Sequence, residues 1–411
     1  MIIDIKNNSG IDKIRDFTLS KELERFIEDT GMTKTKIAEL LELSSYKKVN
    51  EFLDGKGDIS LKDAMGISEL LQVPIENIFN SSKKKILENS PSYIDDIRYS
   101  TFLYRNFDVS LLIKLGLFKK EDSDKEKAQQ IIEYFGFTSI YDYLNLNFSR
   151  TALYSRKSIK TAQEKRIYKM SNFWITTAIQ SFIQMNNPNE YNRELLLEFT
   201  TKRIKSYTCD DSYGLQTVIF VLYKLGVSVL VQDYLTHTNA YGVSMIVNNK
   251  PCIILTGLSG HYFKLWCTLL HELYHILHDW DILQNFHYLI SDTEESNLFV
   301  SESDANQFAY NCLIPIEFHK DLRLIVKSRV TVNKIAKKLN IHPTIIYGLY
   351  AELLTDSDEK SKAFSNLVYT KDILLTKETK CLKNINCNPI KEKSIQKAIC
   401  KIKKSYEFLT A

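Results

Sequence analysis

In the apolar run from Leu265 to His278, LWCTLLHELYHILH, three ionisable side chains stand where a helix would bury them. Leu269, Leu270, Leu273, Ile276 and Leu277 surround His271, Glu272 and His275, and the pattern predicts a helix from about Tyr262 to Trp280. Two imidazoles and a carboxylate are costly to bury without partners. Any fold of this chain must therefore hydrogen-bond them or place an ion between them. Histidines four apart share one helix face and can reach a single ion, and Glu272 projects beside them. Zinc held by three protein ligands keeps a fourth position for water and lowers its pKa, and a neighbouring carboxylate can take the proton as a carbonyl is attacked. His and Glu usage would yield an HExxH by chance on the order of once in a hundred such chains. The apolar setting makes coincidence a poorer account still.

A catalytic site needs a third protein ligand. Glu302, in Ser301-Glu302-Ser303-Asp304-Ala305-Asn306-Gln307-Phe308-Ala309, is the leading candidate. Ala305 and Ala309 follow it on a small-residue helix face that lets the backbone approach the metal helix. Asp304, Glu294, Glu295, His278 and His287 remain alternatives. Asp304 is assigned the task of orienting a ligand histidine through its second ring nitrogen, and His278 either shares it or is a surface residue. His237 and Tyr241 are candidates for stabilising an oxyanion.

Around this motif the chain reads as mainly α with a small β-sheet. Residues 1–80 form a five-helix domain and 81–203 a linker with a helical middle segment. Residues 204–355 carry the metal motif and 356–411 form a basic C-terminal extension. From Gly226 to Thr256 β-branched runs separated by Asn248, Asn249 and Lys250 predict a hairpin. The strands Tyr241–Val247 and Cys252–Thr256 suggest an exposed sheet edge on which an extended peptide can lie. The lysines from Lys377 to Lys404 read as a solvated tail, with nucleic-acid contact as the alternative. Seven cysteines, an odd number with no CxxC pair, favour reduced thiols over a disulfide framework. The N-terminus lacks the apolar core of a signal peptide and no run is long enough to span a bilayer, so a cytoplasmic protein without a membrane partner is expected. A net charge of +4 is too small to decide for or against nucleic acid.

Local patterning supplies that case. TKTKIAELLELSSYKKVNEFLDGKG, beginning at Thr33, has the spacing of a helix, a tight turn and a second helix. Ser45, Tyr46, Lys47, Lys48 and Asn50 flank the buried Val49 and Phe52, and are the residue types that meet phosphates and base edges in a major groove. Glu39, Glu42, Glu51 and Asp54 dilute the basic patch. The lysine run and Ser-Pro pair between Ser81 and Pro91 read as a linker.

With these residues in view, Leu19 to Phe79 resembles the Cro/C1-type helix-turn-helix of bacterial and phage regulators. About Phe102 to Leu354 resembles the ImmA/IrrE metallo-endopeptidase family, in particular its long HigA-like antidote proteins. The matching pieces are FLYRNF, IIEYFGF, LGVSVLVQDYL, GVSMIVNNKPCIILT, LWCTLLHELYHILH, ESDANQFAYNCLIP and IHPTIIYGLYAEL, in that order. Tyr274 stands where the family often has glycine. The resemblance implies zinc on His271, His275 and Glu302, with Glu272 as general base. It also implies a regulator of a toxin-antitoxin or mobile-element locus that cleaves a protein partner of repressor or antitoxin type. The alternative it leaves open is a DNA-binding antitoxin or repressor whose zinc site is structural or sensory. Helix-turn-helix regulators are commonly dimers, so a homodimer is a class expectation.

Overall fold

The computed structural model describes residues 17–56, 58–89, 92–146, 161–233, 235, 241–256, 261–286, 288–291, 302–354, 357–366 and 386–408. The chain is mainly helical with a small mixed sheet, and divides into two compact units, Met1–Arg98 and Tyr99–Ala411. The expected divisions at 203/204 and 355/356 both fall inside the second unit. No described helix is long and apolar enough to cross a membrane.

In the first unit five helices, α1 (Leu19–Thr30), α2 (Lys34–Leu40), α3 (Tyr46–Leu53), α4 (Leu61–Leu71) and α5 (Ile75–Asn89), surround one core. Leu23, Ile37, Val49, Phe52, Ala64, Ile67 and Ile78 fill it. Local chemistry sets the boundaries. Gly31 takes the left-handed conformation that ends α1, at φ 68°. The Thr33 hydroxyl accepts the Lys36 N–H, and Ser60 with Asp63 forms a reciprocal capping box at α4. Leu40 is 53% exposed because Ile37 and Leu41 already occupy the inward face of this short helix. One sequence expectation changes. The linker read from Ser81 onward is instead the continuation of α5 to Asn89: lysine favours helix, and the buried Ser81 hydroxyl accepts the N–H of Leu19.

The second unit begins within α6 (Tyr93–Asn106). It continues through α7 (Val109–Lys114), α8 (Asp124–Phe135), α9 (Ile140–Leu144), α10 (Ala162–Met185), α11 (Arg193–Glu198) and α12 (Gly214–Lys224). Strands β1 (Ser228–Gln232), β2 (Gly242–Val247) and β3 (Lys250–Leu255) precede α13 (Tyr262–His278), α14 (Trp280–Phe286) and β4 (Tyr288–Ser291). Then come α15 (Glu302–Leu313), α16 (Leu322–Ile325), α17 (Arg329–Leu339), α18 (Pro343–Glu352) and α19 (Ser357–Asn366). The last described elements are β5 (Asn386–Cys387), α20 (Pro389–Glu392) and α21 (Ile395–Phe408).

The sheet order is β4-β2-β3-β1-β5. β2 and β3 form the expected hairpin, with Asn248 and Asn249 at φ 50° and 60°, the paired positive angles of a two-residue turn that matches strand twist. β1 lies parallel to β3, with Ser228 opposite Cys252, and β5 lies parallel to β1. β4 runs antiparallel to β2, placing Ser291 opposite Gly242 and Tyr288 opposite Met245. The edge of β2, expected to be open to a peptide, is therefore occupied by the chain's own β4. α13 packs on β2 and β3, while α10 and α12 pack on β1.

The C-terminal residues 386–408 are not a solvated tail. Ile395, Ala398, Ile399, Ile402 and Tyr406 recur at helical spacing and are buried where α21 packs on α10, while Lys397 and Lys401 face solvent. Lys403 reaches back to the carbonyl of Gln184. Residues of the middle segment, the sheet, α13 and α21 thus share one continuous core.

Candidate metal centre

α13 is buried along most of its length, and the polar side chains on its inward face are surrounded by other protein groups. His271 is 6% exposed, and Glu272 and His275 are fully buried. Arg193 Nε donates to the carbonyl of Leu277 and the Tyr191 hydroxyl to that of Ile276, which satisfies two of the helix's last carbonyls. α15 lies against α13 through Ala305 and Ala309, both with no exposed surface. This close approach brings Glu302, in the first turn of α15, to the two histidines.

Glu302 Oε2 lies 3.0 Å from His271 Nε2, and its Oε1 lies 3.9 Å from His275 Nε2. The two Nε2 atoms are 3.1 Å apart. Each ring is held from behind: Asn306 Oδ1 is 2.9 Å from His271 Nδ1, and Asp279 Oδ2 is 2.7 Å from His275 Nδ1. An acceptor at each Nδ1 keeps the ring proton there and leaves both Nε2 atoms with lone pairs. Two imidazole lone pairs and a carboxylate facing one another in a buried pocket call for a cation or a proton between them. Burial opposes charge on His271, but Glu302, Glu272 and Asn306 outweigh it and hold its pKa above the ordinary histidine value. His271, His275 and Glu302 offer ligand atoms within 4.8 Å of one another, so the structure holds a possible metal-binding triad. The donor set fits a divalent transition ion.

Glu272, next to His271 in the chain, packs against β2. Its Oε2 accepts from the Ser244 hydroxyl at 2.6 Å, and the same hydroxyl is 3.0 Å from its main-chain oxygen. A Cβ at Gly242 would stand 2.7 Å from Glu272 Cγ and 2.7 Å from Thr268 Cγ2, and closer still to Glu272 Oε1. Only glycine lets β2 approach the helix here.

Of the residues named from sequence, His271, His275 and Glu302 come together with Glu272 beside them. Asp304 does not orient either ring; it is exposed on α15, with Tyr274 in its field, because the residue one turn beyond Glu302 is Asn306. His278 stacks on Tyr274 at 4.6 Å between ring centroids, outside the triad. Tyr241 is tied to Thr256, whose N–H its carbonyl accepts at 3.0 Å. Glu294, Glu295, His287 and His237 lie outside the described residues. Asn306 and Asp279 were missed, although each stands four residues beyond a ligand on a helix. Gly242 and Ser244 share a strand face by alternation, but nothing local places that strand on α13.

In the first unit Tyr46 and Lys47 are exposed in the first turn of α3, and Ser45 is its N-cap residue. Lys48, expected to face phosphate, instead pairs with the buried Asp63 at 2.8 Å and lies over the Phe52 ring. Lys34 Nζ donates to Asn50 Oδ1 at 2.8 Å. Both contacts bind α3 to its neighbours.

No family model matches the chain, and neither the curated proteins nor the solved structures contain a match.

Proposed function

We propose that the second unit is a zinc-dependent endopeptidase of ImmA/IrrE type acting on a protein partner, a repressor or antitoxin-class protein. The observation that carries this reading is the convergence of three ligand atoms within 4.8 Å with a fully buried glutamate next to them in sequence. Zinc suits two imidazoles and one carboxylate with an open fourth position, and when bound supplies Lewis acidity and a water of lowered pKa. Asn306 and Asp279 hold the Nδ1 sides of the rings, so that Nε2 of each histidine would be free to ligate an ion. Ser244 fixes the direction of the Glu272 carboxyl, which takes a proton from the attacking water and delivers it to the leaving amine. The buried walls of α13 exclude bulk water from that transfer.

Glu272→Gln keeps the size of the side chain and removes the base. It is expected to retain zinc and to lower cleavage of the partner by about a hundredfold or more, measured as accumulation of intact partner. Undiminished cleavage would remove Glu272 from this role. Zinc binding without any cleavage by the wild-type protein would favour a structural or sensory site in a DNA-binding antitoxin.

The first unit is proposed to bind DNA through α3, with Tyr46 and Lys47 directed at the groove. Lys47→Ala is expected to weaken operator binding and reduce the salt slope by roughly one. An unchanged slope would direct attention to another face.

A further inference from the structure

The end of α6 and the first half of α10 enclose a recess of about 150 Å³ that has no part in the metal centre. Three cations line it, Arg105, Lys165 and Lys169, together with the amides of Asn106 and Asn172 and the tyrosines Tyr143 and Tyr168. Among the described residues no carboxylate lines it. The acids next to its lining residues in sequence are committed elsewhere. Asp108 accepts the N–H of Leu111 at the start of α7 and pairs with Arg166 at 3.0 Å. Asp142 accepts from Thr138 and Ser139 at the start of α9, and Glu164 closes the capping box of Thr161 at α10. Lys169 donates to the carbonyl of Tyr104 at 2.6 Å, which uses one of its three N–H groups. Like charges gathered around one concavity repel one another and create a positive potential inside it.

We propose that this recess binds a phosphate group, free or carried as a monoester by a small molecule. Arginine and lysine supply charge-assisted donors, and the Asn172 amide and the Tyr168 hydroxyl add neutral hydrogen bonds that a tetrahedral oxyanion accepts, whereas the Tyr143 hydroxyl is engaged by Thr176 and the Asn106 amide donates to the Phe102 carbonyl. A nucleic-acid backbone would need a track of cations along the surface, whereas these three converge on one recess.

The test is calorimetric titration of the full chain at fixed ionic strength with inorganic phosphate and, separately, adenosine 5′-monophosphate. The double variant Arg105→Ala, Lys165→Ala is measured alongside. Saturable binding of either probe is expected, weakened on the order of tenfold for each cation removed. Tighter binding of inorganic phosphate identifies the free anion as the ligand; tighter binding of the nucleotide identifies a monoester. The double variant should melt no lower than wild type without phosphate, because the substitutions relieve repulsion. It should also lose the rise in melting temperature that phosphate gives wild type. Absence of saturable binding of both probes, or affinity unchanged in a folded double variant, would overturn the proposal.

Discussion

His271 and His275 face each other through nitrogens that both carry lone pairs, because Asn306 and Asp279 take the protons on the far side of the rings. That arrangement gives the site an opposite pH response with and without metal. In the metal-free chain His271 has its folded pKa above 6.5, so its charge contributes stability that is complete below 6.5 and is lost as pH rises through the raised value. The proton and the metal compete for the same Nε2, so metal affinity falls on acidification, starting above 6.5. Chelator competition about one pH unit above and below the ordinary histidine value should show weaker zinc retention on the acid side. Equal retention at both would mean that no histidine proton competes. At this scale the two histidines were legible because four-residue spacing is a local signal, while Glu302 reaches them through helix packing far along the chain. Ser244 and Gly242 were not, since they reach Glu272 across 28 and 30 residues of chain through sheet packing that no local pattern encodes.

Helices α3 and α4 are joined by the Lys48–Asp63 ion pair, fifteen residues apart in sequence and outside any local spacing rule. Asp63 caps α4 and is buried; burial raises its pKa, and the bonds from Lys48 and Ser60 more than reverse that. Lys48→Ala leaves this carboxylate without its cation and is expected to destabilise the first unit by about 1–2 kcal/mol. Lys47→Ala, on the exposed side, should cost almost nothing. Amide exchange in α3 and α4 of the intact chain distinguishes them: faster exchange in the Lys48 variant alone is the expected outcome, and equal protection in both would contradict it. The helices themselves were legible, since Thr33, Ser60 and Gly31 punctuate apolar periods with ordinary cap chemistry. What misled the reading was exposure: the same lysine-rich composition serves a linker, a groove-facing helix or an amphipathic core helix. The choice depends on partners far along the chain.

Across the whole molecule the chain is less modular than its motifs suggest. β5, only two residues long, pairs with β1 from Asn386 to Val231, and α21 buries its apolar face against α10. A two-residue strand has no sequence signal, and the basic side of α21 hid a regular apolar period. β4 likewise covers the edge of β2, so an extended substrate pairing with this end of the sheet would meet β4 instead of β2. The mainly α reading with a small sheet was legible in sequence; the packing of α13 on that sheet and the extent of the shared core were not. The central claim is that His271, His275 and Glu302 form one metal centre, and metal content tests it most directly. Purified full-length protein should hold about one zinc per chain. The double variant His271→Ala, His275→Ala and the single variant Glu302→Ala should lose it while remaining folded. A folded wild-type chain that takes up no zinc from excess, or variants that keep it stoichiometrically, would contradict the account.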